Sequence, residues 1–182
     1  MIRDGEDFVP GFADESAQHI NVSTSRVWSL GKPVRKVNSD RIHANIFGFY
    51  AMNGESVILI PDCSKSADMC AFLYAVRKAN GDRKVVMILD NGPIHHSNAV
   101  IFTAEVMDIA LVFLPPYSPQ LNPIELIWKT IKARISNMFL LHRDHLVAAV
   151  QELFTQESTK DSYLTSWKRT FLIDHVSKKL GS

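Results

Sequence analysis

Lys84-Val85-Val86-Met87-Ile88-Leu89-Asp90-Asn91-Gly92-Pro93 is the stretch on which the fold turns. Residues 84–89 are an apolar run behind a single lysine, as in a strand covered on both faces. Such strands belong to α/β sheets with helices on either side. Asp90 ends the run, at the carboxyl end of a central strand, where open α/β sheets bind ligands. A carboxylate there cannot be sealed among apolar groups without a cation or hydrogen-bond donors. The simpler alternative is an Asx-turn closed onto the Asn91-Gly92 backbone.

Toward the C-terminus, residues 97–106 predict a helix and residues 110–114 a second buried strand. Pro115-Pro116-Tyr117-Ser118-Pro119 predicts a rigid loop, because its prolines exclude both helix and ladder pairing. Helical spacing returns over residues 123–139, with Pro123 suited to the first turn and Asn122 to the cap. Residues 143–157 and 162–171 read as closing helices. Toward the N-terminus, residues 64–79 carry Ala67, Cys70, Ala71, Tyr74, Ala75 and Ala79 at helical spacing. Ser64 or Ser66 suits the N-cap and Gly81 the stop. Before it, residues 44–51 and 56–60 form a strand pair across Asn53-Gly54, a strong hairpin signal. Residues 8–14 are a weaker strand interrupted by Pro10-Gly11 and ending in an acid. Residues 18–23 alternate like a half-buried strand, Gly31-Lys32-Pro33 marks a turn, and residues 34–37 suggest a third early strand. Antiparallel strands followed by helix, strand, helix, strand, helix predict an α/β fold. Its mixed sheet would be flanked by helices, with the later strands parallel through right-handed crossovers.

A chain of 182 residues supports one well-buried core, so a single domain over residues 1–182 is expected, helical from about residue 140. No stretch approaches the roughly 18 uninterrupted apolar residues of a membrane span. The opening Met1-Ile2-Arg3-Asp4-Gly5-Glu6-Asp7 lacks an apolar signal core. The expectation is a cytoplasmic protein without a membrane partner. Cys63 and Cys70 fit no common zinc spacing and read as reduced thiols. A net charge of +1 separates no partner classes, since cationic grooves can cancel an acidic centre.

Three acids stand out. Asp90 ends its strand. Glu125 lies in the first turn of the helix after the proline loop, where an acid also suits the helix dipole. Ile124, Ile127 and Trp128 define a buried face beside it, so that turn is held firmly on the sheet. Asp14 and Glu15 end the first strand; alone, such a pair is ordinarily a solvated turn. Two carboxylates at strand ends and one on a crossing helix are able to converge. Grouped acids repel one another and invite divalent cations. An all-oxygen set suits Mg²⁺ or Mn²⁺ rather than zinc. Two such ions about 3.5–4 Å apart are the standard device for phosphodiester chemistry.

These residues resemble a known family. Ile88-Leu89-Asp90-Asn91-Gly92-Pro93-Ile94-His95-His96-Ser97 is similar to the second acidic motif of DDE-type insertion-sequence transposases related to mariner elements. Leu114-Pro115-Pro116-Tyr117-Ser118-Pro119-Gln120-Leu121-Asn122-Pro123-Ile124-Glu125-Leu126-Ile127-Trp128 resembles the third motif almost residue for residue, and 34 residues separate Asp90 from Glu125. Ala13-Asp14-Glu15-Ser16, followed by Arg26-Val27-Trp28-Ser29-Leu30-Gly31-Lys32-Pro33, is similar to the first motif and its downstream element. The resemblance covers the chain from about residue 8 to about residue 139. It implies a ribonuclease-H-like fold and a catalytic triad of Asp14, Asp90 and Glu125 that binds two Mg²⁺ or Mn²⁺ ions. It also implies cleavage at element ends, strand transfer into target DNA, and a dimer on DNA. Its members usually carry an N-terminal helix-turn-helix region; none is expected here, so a separate helix-turn-helix polypeptide becomes an expected partner. Work on DNA implies association with the nucleoid.

Two departures qualify the resemblance. Pro10-Gly11 is awkward in a strand expected to be central, which leaves Glu15 as a substitute for Asp14. The chain could also be an inactive remnant that only binds DNA or self-associates, or a nuclease without strand transfer; the proline-rich third motif speaks against the last. Supporting roles fall to several neighbours. His95 would contact a phosphate or orient the site, and Asn91 would hold Asp90. Asn122 suits a cap better than a catalyst. Lys129, Lys132 and Arg134 would touch backbone phosphates, although Lys129 is also placed to pair with Glu125. Arg26, Lys32, Arg35 and Lys36 form a second basic cluster; Trp28 is either core or a stacking platform, and Trp128 reads as core.

Overall fold

The structure is a computed structural model that describes residues 8–19, 42–63 and 65–170. Five strands form one sheet: β1 (Phe8–His19), β2 (His43–Ala51), β3 (Val57–Leu59), β4 (Lys84–Leu89) and β5 (Ile109–Phe113), in the order β3-β2-β1-β4-β5. β1, β2 and β3 pair antiparallel, while β1, β4 and β5 run parallel. Parallel neighbours need crossovers, and α1 (Ser66–Asn80) and α2 (Asn98–Val106) supply them. After β5 come α3 (Ile124–Ile135), α4 (Arg143–Ser158) and α5 (Asp161–Lys168).

Strand alternation divides the interior into two cores. Val9, Ala13, Phe47, Phe49, Val85 and Met87 face α1 and α2. Phe12, Ile46 and Tyr50 face the other way, onto Ile124, Ile127 and Trp128 of α3 and Phe154 of α4. Asp14 shares its parity with Phe12 and therefore points toward α3. The expected mixed sheet covered by helices on both faces is what forms.

Several expectations are corrected. The first strand does not stop at residue 14; it continues to His19 and absorbs the start of the run expected at residues 18–23. The rest of that run, the turn at Gly31-Lys32-Pro33, the strand at 34–37, Ser64 and the basic cluster with Trp28 lie outside the described residues. Pro10 is tolerated in a central strand. Its carbonyl accepts the Met52 N–H at 2.8 Å, so its nitrogen also faces the β2 side, beyond the last registered pair, Gly11 with Ala51. The one donor that proline lacks would have faced Met52, past the end of the registered ladder, where its loss interrupts no interior pair.

α1 forms as expected, but its buried stripe is Met69, Phe72, Leu73 and Val76, while Tyr74 is exposed. The large side chains displace the alanines from the core because they remove more apolar area from water. Ser66 begins this helix rather than capping it. Lys65 holds the N-cap position, with its N–H bonded to the Asp68 carboxylate at 3.0 Å, and Gly81 ends the helix at φ 62°. α3 is shorter than expected. Ser136 Oγ and Asn137 Nδ2 both bond back to the Ala133 carbonyl, at 2.8 and 3.1 Å, and the chain turns there.

Candidate active site

Asp14, Asp90 and Glu125 line one cleft of about 440 Å³, walled by residues 114–119 of the proline loop. Each arrives there for a local reason. The β1–β4 register pairs Phe12 with Ile88, so Asp14 and Asp90 are the next residues of the same parity on adjacent parallel strands. Both project past the end of the ladder, toward α3. Glu125 is in the first turn of that helix, whose Ile124, Ile127 and Trp128 are fully buried on the sheet.

Asp14 is the constrained member. Trp128 donates its indole N–H to Asp14 Oδ2 at 3.0 Å. The indole reaches this position because Gly48 lies directly across from Asp14 on β2, and a Cβ there would come within 2.5 Å of the ring. Trp128 also stacks on Phe154, with centroids 5.4 Å apart. Burial, followed by the charge of Glu125, pushes the Asp14 carboxyl up to about 7; Asp90 adds to the rise, while the Glu15 backbone N–H and Trp128 oppose it. Asp14 therefore senses both of the other acids electrostatically. They do not close on one point by themselves: among the described residues no group of three His, Cys, Asp or Glu forms a ready cage for a metal ion.

Asp90 makes the Asx-turn, with the Gly92 N–H bonding Oδ1 at 3.1 Å, and it also lines the cleft. The two alternatives for this residue coexist. His95 approaches the same Oδ1 at 3.0 Å through Nε2 and is only 5% exposed. Burial pulls the His95 pKa down despite the neighbouring carboxylate, so a neutral ring donates Nε2–H to Asp90. The side chain is thus buried against the carboxylate of Asp90.

Other expectations shift partners. Asn91 does not hold Asp90; its side-chain oxygen bonds His96 Nε2, and His96 stacks on Phe113 at 4.3 Å. Asn122 makes no side-chain cap. It is buried and donates Nδ2–H to the Ala13 carbonyl at 3.1 Å, which ties the start of α3 to the residue before Asp14. Its Oδ1 is buried without a partner among the described residues. Glu15 falls on the opposite face of β1 from Asp14 and does not line the cleft; burial, then Asp90, raises its pKa.

Lys129 forms no ion pair with Glu125 among the described residues. With Lys132 and His19 it borders a second hollow that shares Glu125 with the first. Arg134 lies 2.9 Å from the wholly buried Glu157 of α4, an ion pair that ties α3 to α4. Glu157 also holds Lys160 and Tyr163, which keep its carboxyl below the usual range although burial alone would raise it.

Two site residues escaped the sequence. The donor role of Trp128 was hidden behind its core character, although its offset of three from Glu125 puts both on one side of α3. Tyr117 is wholly exposed beside the cleft in a left-handed conformation, φ 56°, that β-carbon residues rarely adopt. Only its place among three prolines hinted at this.

Known proteins share this architecture. The strand transfer complex of Mos1 is 17% identical, with a TM-score of 0.64 over 90% of this chain and 51% of that chain. The catalytic domain of Mos1 mariner transposase is 17% identical, with a TM-score of 0.58 over 87% of this chain and 73% of that one. A Mos1 mariner paired-end complex with Mn is 16% identical, with a TM-score of 0.65 over 87% and 50%. This chain spans about half the length of the first and third of these chains. At such identities the likeness shows the fold alone, a ribonuclease-H-like mixed sheet flanked by helices. No curated protein matches the chain. Among the described residues no helix is long and apolar enough to cross a membrane. The family profile of the DDE superfamily endonucleases matches residues 11–147, most of the chain, and the protein belongs to that family.

Proposed function

We propose that this chain is a transposase catalytic domain that cuts DNA and transfers the cut strand, with Asp14, Asp90 and Glu125 holding two Mg²⁺ or Mn²⁺ ions. The observation that carries the proposal is the meeting of these three carboxylates in one cleft, from two parallel strand ends and a helix first turn. The donor set fits such ions: it is all oxygen, and after burial the charges of Glu125 and Asp90 add to the rise of the Asp14 pKa. When bound, the ions lower the pKa of an attacking water or 3′-hydroxyl and stabilise the leaving oxygen. The protein's part is to hold the acids in position, wall the cleft with the rigid proline loop, and offer Lys129 and Lys132 to the DNA backbone beside Glu125.

The solved Mos1 complexes contain paired transposon ends and, in separate structures, Mn or Mg. By extension this chain works at element ends, as a dimer on DNA, with end sequences read by a helix-turn-helix polypeptide and the whole assembly at the nucleoid. Purified protein with Mn²⁺ is expected to nick plasmid DNA and to join a pre-cleaved end to a target. Asp90→Ala and Glu125→Ala should remove both activities while circular dichroism stays native. A folded protein inert with every divalent ion would instead establish the inactive remnant, and nicking without joining would establish a simple nuclease.

A further inference from the structure

Each of the two cleft aspartates is held by a ring nitrogen of a buried side chain. Trp128 Nε1 lies 3.0 Å from Asp14 Oδ2, and His95 Nε2 lies 3.0 Å from Asp90 Oδ1. Neither ring is free to turn. Trp128 is 1% exposed, wedged between Phe154 and the bare Cα of Gly48. His95 is 5% exposed, in a short helical turn whose Cα path is set by Pro93 and by its own N–H bond to the Gly92 carbonyl.

The histidine is unlike one that merely fills a core. Its Nδ1 is buried with no hydrogen-bond partner among the described residues, so its single side-chain bond is the one to Asp90. A structural histidine satisfies both nitrogens where it can, because an orphaned polar atom costs about 1–3 kcal/mol. Asp90 Oδ1 takes two donors, Gly92 N–H and His95 Nε2–H, while Oδ2 receives none from the described residues. The carboxylate is thus turned so that one oxygen belongs to the protein and the other to the cleft.

We propose that Trp128 and His95 are positioning residues, which fix the rotamers of Asp14 and Asp90 so that each presents a defined oxygen to a divalent cation in the cleft. The inference rests on the metal-binding role proposed above for the aspartates. The two donors reach the site through different cores. Trp128 packs on the α3 side of the sheet, and His95 follows β4 into the turn that precedes α2. Loss of one should therefore leave the other intact.

The test is Mn²⁺ affinity of the full chain without DNA, read from the electron paramagnetic resonance of free Mn²⁺. His95→Ala should weaken binding roughly 10-fold to 100-fold, the usual effect of removing a partner that orients a metal ligand. His95→Gln, whose amide can still donate, should recover most of the loss, which a packing role alone would not produce. For Trp128, benzothienylalanine at this one position keeps the ring and removes only the N–H, so the fold survives; the same order of weakening is expected. Wild-type affinity in His95→Ala and in the benzothienylalanine protein would overturn the inference, provided Asp90→Ala abolishes binding. Equal affinity in the wild type and Asp90→Ala would overturn the metal-site reading itself, and this inference with it.

Discussion

Asp14 shows how one side chain sets the pH response of the molecule. Its pKa rises on folding from 3.8 to about 7, chiefly because burial penalises the charged form, and then because Glu125 lies near. A carboxyl raised by folding stabilises the protein fully below the unfolded pKa, and that contribution is lost as pH climbs through the folded one. In metal-free buffer, Asp14 should therefore subtract stability steadily between about pH 4 and pH 7, by a few kcal/mol at most after allowance for its partial exposure. His95 works the other way, since its lowered pKa makes acid unfavourable, so the informative quantity is a difference between proteins. Asp14→Asn should unfold at higher urea than the wild type at pH 8 in EDTA, and the two should converge near pH 4. Mn²⁺ should stabilise the wild type at pH 8 and leave Asp14→Asn unmoved. If the wild type is the more stable at pH 8 without metal, Asp14 does not carry the burden assigned to it. The sequence disclosed this acid but not its environment. Choosing between Asp14 and Glu15 needed only the parity of β1, yet parity is knowable only once Phe12 and Ala13 are assigned to opposite cores.

At the level of elements, α3 joins sequence to site most directly. Its first turn supplies Glu125, its second supplies the Trp128 donor, and its last reaches Glu157 through Arg134. The position of the helix over the sheet depends on one absent side chain. Gly48 faces the Trp128 ring so closely that an added methyl group meets ring carbons at 2.5 and 2.6 Å and Ile124 at 3.1 Å. Both neighbours are buried and cannot swing away. Gly48→Ala should cost about 1–3 kcal/mol, the usual penalty for overpacking, read as a lower urea midpoint at constant slope. Stability within a few tenths of a kcal/mol of the wild type would mean that the ring is not pinned there. What could be read in the sequence at this scale follows from period and length. KVVMIL announced β4, Asn53-Gly54 announced the β2–β3 hairpin, and Gly81 announced the end of α1. What could not be read depends on tertiary competition. The stripe of α1 went to Phe72 and Leu73 rather than to the alanines, and the end of α3 was decided by two side-chain bonds at Ser136 and Asn137. Asn122 had the composition of a cap, yet its amide bonds a strand 109 residues away.

For the molecule as a whole, the question is how a chain of net charge +1 would hold DNA, as proposed above, against an acidic cleft. Charge totals do not decide this; distribution does. Beside Glu125, the hollow bordered by His19, Lys129 and Lys132 continues from the cleft along α3. Neither lysine is paired with an acid among the described residues, whereas Arg134, a little further along, is committed to Glu157. A backbone laid along α3 would meet two available ammonium groups and then a neutralised guanidinium, so the cationic track is short. Binding through so few phosphates should be weak, indifferent to sequence and only modestly reduced by salt. Fluorescence anisotropy with a labelled duplex between 50 and 200 mM NaCl measures this. Each phosphate no longer neutralised flattens the log–log slope by about 0.9, so Lys129→Ala with Lys132→Ala should lower it by about 2, and equally on a scrambled duplex. Arg134→Ala should leave the slope as it is and lower stability instead, because it strips a partner from a buried carboxylate. An unchanged slope in the double variant would move the DNA path off α3, and a drop confined to one duplex sequence would mean that this domain itself reads bases.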